Sequence, residues 1–189
     1  MPVKTVAILG NATRTQNFAP FDNPHVELWA MTIHAIHAKR CTAALEMHED
    51  VLRDTRWERL PSYGQYKKWL TETTTPIYMH EVRAEIPASV RYPRQEIEDT
   101  FGHHLWKGDR EVRTFFGGTG AYGIPLAMYL GFERIELYGI ELATRPEYDN
   151  ERDSTFFWMG KASALGVDVV IHEKSQLVRE LLYPYKDMP

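Results

Sequence analysis

The sequence predicts an α/β domain of three layers, with helices on both faces of a mainly parallel central sheet. Short, mainly apolar runs recur along the chain, as strands covered on both faces require. In the last third, apolar runs at 134–140 and 167–171 alternate with helical stretches at 121–130 and 155–165, the rhythm of strand–helix–strand units. Glycines stand at the ends of these runs, as in Gly10 after the first run and Gly117, Gly118 and Gly120 before a helix.

Taken in order, residues 3–9 form an apolar strand closed by Gly10, and 26–31 and 42–47 form two more. The segment 33–39 is short for a helix but long enough to connect parallel strands. Residues 50–60 and 63–72 are polar, Trp-bearing helical stretches separated by Pro61. Residues 76–80 are a further strand, and 81–93, with Pro87 and Pro93, read as a loop. A short helix at 94–101 ends at Gly102, and the polar stretch 103–113 turns at Gly108-Asp109 and reads as a mobile segment or as a cover for a site. Residues 114–116 read as a short strand and 117–120 as a tight loop, and the helix from 121 stops at Gly131. Strand 134–140, helix 155–165, Gly166 and strand 167–171 follow, and Ser175 caps a last helix through 182.

With 189 residues the chain suits one domain spanning 1–189, large enough for a substantial core. Its net charge of −4 argues against general nucleic-acid binding, which calls for a basic face, but leaves room for a single nucleotide. One cysteine, Cys41, rules out an internal disulfide and fits a reducing compartment, with Cys41 as a small core residue. No apolar run reaches the ~20 residues of a membrane span, and the N-terminus lacks the pattern of a signal peptide. The expected location is cytoplasmic, without membrane partners, and a homo-oligomer is compatible with the sequence.

In open parallel sheets ligands bind beyond the carboxyl ends of the strands, so the segments 10–14, 32–34, 117–121 and 139–152 are the candidate site. Gly10-Asn11-Ala12-Thr13-Arg14 offers a sharp turn, the short polar groups Asn11 and Thr13, and the Arg14 charge for a phosphate. It contains neither the GxGxxG fingerprint nor the Lys-Ser/Thr ending of a P-loop, and it reads equally as a plain turn. Gly117-Gly118-Thr119-Gly120 opens a helix, where backbone N–H groups attract anions and Thr119 serves as ligand contact or as cap. The charged segment 141–152 offers Arg145, Tyr148 and Arg152 for an anion and Glu141 or Glu147 for a hydroxyl or base, or else faces water. Glu46 and His48 fall on one side of the third strand and suit an acid/base couple. No third ligand stands near them, so no metal site is expected. His103-His104 reads as a surface pair, and Lys161 either reaches a phosphate or lies on the surface.

These segments resemble a Rossmann-like group of phage and bacterial proteins, distantly similar to the DUF115 proteins and to single-domain bacterial sialyltransferases. The resemblance rests on Val6-Ala7-Ile8-Leu9-Gly10-Asn11, Leu45-Glu46-Met47-His48, Gly118-Thr119-Gly120-Ala121, Ile135-Glu136-Leu137-Tyr138-Gly139-Ile140-Glu141, and Glu147-Tyr148 with Arg152. Such sialyltransferases bind CMP-sialic acid and need no metal for catalysis. By resemblance the nucleotide falls to Gly10 and Asn11, to Thr32 where the family has an Asn, and to Thr119 and Gly120, with its phosphate at Tyr148. The family's catalytic histidine segment is similar to Trp158-Met159-Gly160-Lys161, with Lys161 in place of the histidine, and Glu141 stands where the family has an Asp.

The function expected is a metal-independent, glycosyltransferase-like transferase acting on a nucleotide or nucleotide sugar, with no cofactor beyond that ligand. Glu46 or His48 would deprotonate the acceptor, and Tyr148, Arg152 or Lys161 would stabilise the leaving group. The alternatives are a nucleotide-sequestering protein without turnover, and a nucleotide hydrolase in which Glu46 activates water.

Overall fold

A computed structural model describes residues 3–102, 105–112, 115–142 and 147–178. Nine strands occur among them: β1 (Thr5–Leu9), β2 (Val26–Met31), β3 (Ala43–Leu45), β4 (Ile77–Met79), β5 (Ser89–Arg91), β6 (Leu105–Lys107), β7 (Arg110–Val112), β8 (Arg134–Tyr138) and β9 (Asp168–Ile171). The helices are α1 (Thr13–Gln16), α2 (Tyr63–Glu72), α3 (Arg94–Phe101), α4 (Thr119–Tyr129) and α5 (Glu147–Ala164). Seven strands form one sheet in the order β5-β4-β3-β2-β1-β8-β9, every pair parallel. This is the three-layer, Rossmann-like α/β architecture.

The run Thr5–Leu9 is buried throughout because β1 is covered on both faces. Successive side chains point to opposite sides, so Val6 and Ile8 join one core cluster and Ala7 and Leu9 the other. The first cluster takes in α3, α4 and α5 through Ile97, Ile124 and Trp158. The second takes in α2 through Tyr63, Tyr66 and Leu70. Every residue of α4 from Gly120 to Met128 is buried, and a helix apolar all round belongs in an interior.

Several expected elements differ in the structure. The segment 81–93 holds β5, a three-residue edge strand between Pro87 and Pro93; prolines are tolerated at a sheet edge, where a missing N–H breaks no ladder. Residues 105–112 form the antiparallel hairpin β6–β7, turning at Gly108 with φ of 63°. Phe115 and Phe116 lie outside any strand, held by aromatic stacking on Phe157 and Tyr122 instead of a ladder. The region 50–60 contains only a 3₁₀ turn, Thr55–Arg59. Helix α5 begins at Glu147, eight residues before the expected start at 155, so part of the charged segment is helical. Residues 176–178 are bends, and the rest of the expected last helix lies outside the described residues.

Candidate active site

The chain runs from β1 outward to β5 on one side, then returns to place β8 and β9 on the other. The order reverses between β1 and β8, and a crevice opens beyond the carboxyl ends of these strands. A cavity of about 540 Å³ occupies it, within the ~300–1,000 Å³ usual for small-molecule sites. Asn11, Thr32, His48, Gly118, Thr119, Gly120 and Glu141 all border it.

Gly10 itself does not line the cavity; it lets two loops cross. Its N–H donates to Tyr138 O at 2.8 Å, and the Ala12 N–H donates to Gly139 O at 2.9 Å. A Cβ on Gly10 would stand 2.3 Å from Gly139 O, and one on Gly139, whose φ is 68°, would stand 2.7 Å from Gly10 O. The crossing is pinned by Thr15, a fully buried residue with no part in the sequence-based site. Its Oγ1 accepts from the Gly139 N–H at 2.7 Å and donates to Glu141 Oε1 at 3.2 Å. The other Glu141 oxygen accepts from the Gln176 N–H. Thr13 and Arg14 are exposed and stand outside the cavity lining, because on the single turn of α1 only Thr15 faces inward.

Gly118, Thr119 and Gly120 form the opening turn of α4, whose first N–H groups have no acceptor within the helix. A Cβ on Gly118 would lie 2.6 Å from the Glu151 side chain, so the absence of a side chain there lets α5 pack closely. Glu151 also borders the cavity. Its neighbour Arg152 does not: Nη2 donates to Leu177 O at 2.6 Å and the guanidinium lies 5.4 Å from the Phe156 ring centroid. Adjacent helical residues point about 100° apart, so Glu151 and Arg152 cannot share the cavity face. Lys161 lies ten residues further along α5, about 15 Å from Glu151, and its Nζ reaches Gly102 O at 3.4 Å. Arg145 and His103-His104 lie outside the described residues, as do the side chains of Glu147 and Tyr148.

The acid/base pair forms. His48 Nδ1 donates to Glu46 Oε1 at 2.5 Å, and the His48 N–H donates to the same oxygen at 3.0 Å. The second Glu46 oxygen accepts from Tyr66 Oη–H at 2.5 Å. Burial, reinforced by the Glu46 charge, holds the Tyr66 phenol well above its ordinary value, so it stays a donor. Glu46 has no exposed surface and does not border the cavity, whereas the His48 side chain is 37% exposed and does. Glu46 therefore orients His48 and does not meet a ligand. An Nδ1–H tautomer makes Nε2 the basic nitrogen.

The segment 32–34 meets the cavity as expected from the sequence, but its backbone strain and titration lay beyond sequence reasoning. Among the described residues only Thr32 and Leu142 are non-glycines with positive φ, at 50° and 45°, and both border this cavity. Strained backbone of this kind concentrates at functional sites. His34 also borders the cavity; burial, and then the neighbouring His37, lowers its pKa to about 4. Among the described residues no group of three or more His, Cys, Asp or Glu side chains is placed to hold a metal ion, and no helix is long and apolar enough to cross a membrane.

No family model and no curated protein matches the chain. Solved structures do. The sialyltransferase CstII from Campylobacter jejuni, in complex with the substrate analogue CMP-3FNeuAc, aligns with a TM-score of 0.51 at 14% identity, over 88% of this chain and 79% of that chain. The sialyltransferase CST-II in complex with a trisaccharide acceptor and CMP aligns with a TM-score of 0.50 at 14% identity, over 89% of this chain and 80% of that chain. The likeness is one of fold.

Proposed function

We propose that the chain is a metal-independent transferase that binds a nucleotide or nucleotide sugar in the crevice between β1 and β8. One observation carries this: a histidine oriented by a buried Glu–Tyr pair borders the same cavity as the glycine-rich start of α4. The first turn of α4 suits a phosphate, because its N–H groups and the helix dipole stabilise an anion. His48 suits the acceptor, because Nε2 can remove a hydroxyl proton while Glu46 stabilises the resulting imidazolium. The structures of similar fold carry CMP and sugar ligands in their complexes, which supports this choice of ligand class. Wider kinship with the phage and bacterial group and the DUF115 proteins is part of the same proposal.

The sequestering reading keeps one observation in its favour. Lys161, where the resembling transferases carry a histidine, bonds to Gly102 O and takes no part in the cavity. Thermal-shift screening of CMP, UDP, GDP and ADP compounds tests binding: a ligand at 100 times its Kd stabilises the fold by about 2.7 kcal/mol. Product analysis on the hit, metal-free with EDTA, then separates transfer from sequestration. If none of these nucleotides moves the melting temperature, the nucleotide reading falls.

A further inference from the structure

His34 has no task in the transfer chemistry, yet it borders the cavity. It sits in the 3₁₀ turn Thr32–Ile36 that follows β2. Its neighbours Ile33 and Ala35 are buried in the second core cluster, and His34 between them is half-buried at the cavity wall. Among the described residues no hydrogen bond occupies its ring nitrogens, and its one ring contact is with His37, at 6.5 Å between centroids.

The two ends of the cavity differ in chemistry. The first turn of α4 offers N–H groups to an anion. Helix α4 packs in the first core cluster, on the opposite face of the sheet from the turn 32–36. A ligand held at α4 that extends across the sheet edge therefore meets this turn with its other end. The groups waiting there are uncharged: the side chains of Thr32 and Asn11, like that of His34, make no hydrogen bond among the described residues. No lysine or arginine is found among the described residues of the lining. His34 stays neutral above about pH 4, because burial, and then His37, oppose its charged form. A neutral imidazole presents one donor and one acceptor and cannot balance a phosphate charge, so its fitting partner is an uncharged polar group.

We propose that His34 is a specificity-determining residue, whose ring hydrogen-bonds to an uncharged group of the nucleoside, a nucleobase edge or a ribose hydroxyl, while the phosphate lies at α4. The inference rests on the nucleotide reading above. It holds equally for a transferase and for a sequestering protein, because recognition precedes any chemistry. It also gives the strained backbone a purpose: Thr32, at φ of 50°, turns the chain out of β2 and so brings His34 to the cavity wall.

The protein is labelled with nitrogen-15 in its histidine rings, and the His34 signals are assigned with His34→Gln. Cytidine, uridine, guanosine and adenosine are titrated beside their 5′-monophosphates. At least one nucleoside and its monophosphate should shift the His34 ring nitrogens. His34→Phe keeps a flat ring without hydrogen-bonding atoms, and it should weaken that nucleoside and its monophosphate by the same factor, about tenfold. At least one of His34→Gln and His34→Asn, whose amides supply a donor and an acceptor, should hold affinity within about threefold of the parent. The two groups are told apart by a second comparison: a 2′- or 3′-deoxy ligand that loses affinity in the parent but not in His34→Phe marks the ribose, and a base preference that vanishes in His34→Phe marks the base. Should His34→Phe not fold, the ring signals of the parent decide alone. If a nucleotide binds while the His34 signals stay still, the assignment alone is overturned. The same holds if His34→Phe binds as tightly as the parent, if it loses the monophosphate but not the nucleoside, or if neither amide restores affinity. If no nucleoside or nucleotide binds at all, the nucleotide reading falls and the assignment with it.

Discussion

At the scale of single residues, the site depends on groups held by others. Glu46 is buried and accepts hydrogen bonds from His48 and Tyr66. Under the proposed function, Glu46→Gln leaves His48 badly oriented, and His48→Ala removes the base. Each should lower kcat by about 10²–10⁴-fold, with nucleotide affinity little changed in titrations. His34 gives a pH signature. The unfolded chain protonates this ring near its ordinary value of 6.5, the folded chain not until about 4. Between these values the unfolded state binds the extra proton, so stability falls as pH drops from 6.5 to 4 and levels off below. Denaturant unfolding at pH 7 and pH 4.5 should show a smaller loss in His34→Gln than in the parent; an equal loss would mean that His34 is not the group responsible.

At the scale of elements, α4 divides its glycines between two jobs. A Cβ on Gly123 would meet Ile8 at 2.9 Å and Leu45 at 3.1 Å, so this glycine seats the helix on the sheet. Gly123→Ala should cost about 1–3 kcal/mol by overpacking, read from a shifted denaturation midpoint. Gly120 has room for a methyl group, its nearest neighbours being 3.8 Å away, but it borders the cavity. Gly120→Val should therefore cost ligand affinity more than folding. Retained affinity in a folded variant would reduce the α4 start to a turn. The turn after β2 behaves oppositely. Thr32 holds a φ of 50°, a conformation that glycine adopts freely and a β-branched residue resists. Thr32→Gly should leave thermal stability unchanged or raised, while a ligand that contacts the Thr32 hydroxyl binds less well.

At the scale of the whole molecule, the sheet order sets both the stable centre and the site. β1 lies between β2 and β8 and belongs to both core clusters. Amide exchange should be slowest in β1, β2 and β8 and fast in the β6–β7 hairpin, which stands outside the main sheet. Ile8→Ala, at a fully buried position of β1, should cost about 2–5 kcal/mol. Early exchange of β1 amides would contradict this picture of the core. The crossing of Gly10 and Gly139 belongs to this scale too, since it joins loops 129 residues apart in sequence. A methyl group on either would press on backbone that cannot swing away.

Local pattern along the chain accounts for the elements that could be read before folding. The apolar runs at β1, β2 and β8 announce strands because both faces of a parallel sheet must be dry, and helices α2 and α3 begin and end where the sequence places them. Asn11 and Glu141 reach the cavity because position after a strand is itself local information, and Gly118, Thr119 and Gly120 because they open a helix. The Glu46–His48 contact was legible from their two-residue spacing. Tertiary structure decided the rest. Whether Thr13 or Thr15 faces inward, or Arg152 or Glu151, turns on the rotation of a helix about its axis, and that is set by what the helix packs against. Edge strand β5 escaped because edge strands need no apolar run. Burial of Glu46 by Tyr66, from an element twenty residues away, separated the residue that orients from the residue that reacts, and no spacing in the chain encodes that meeting.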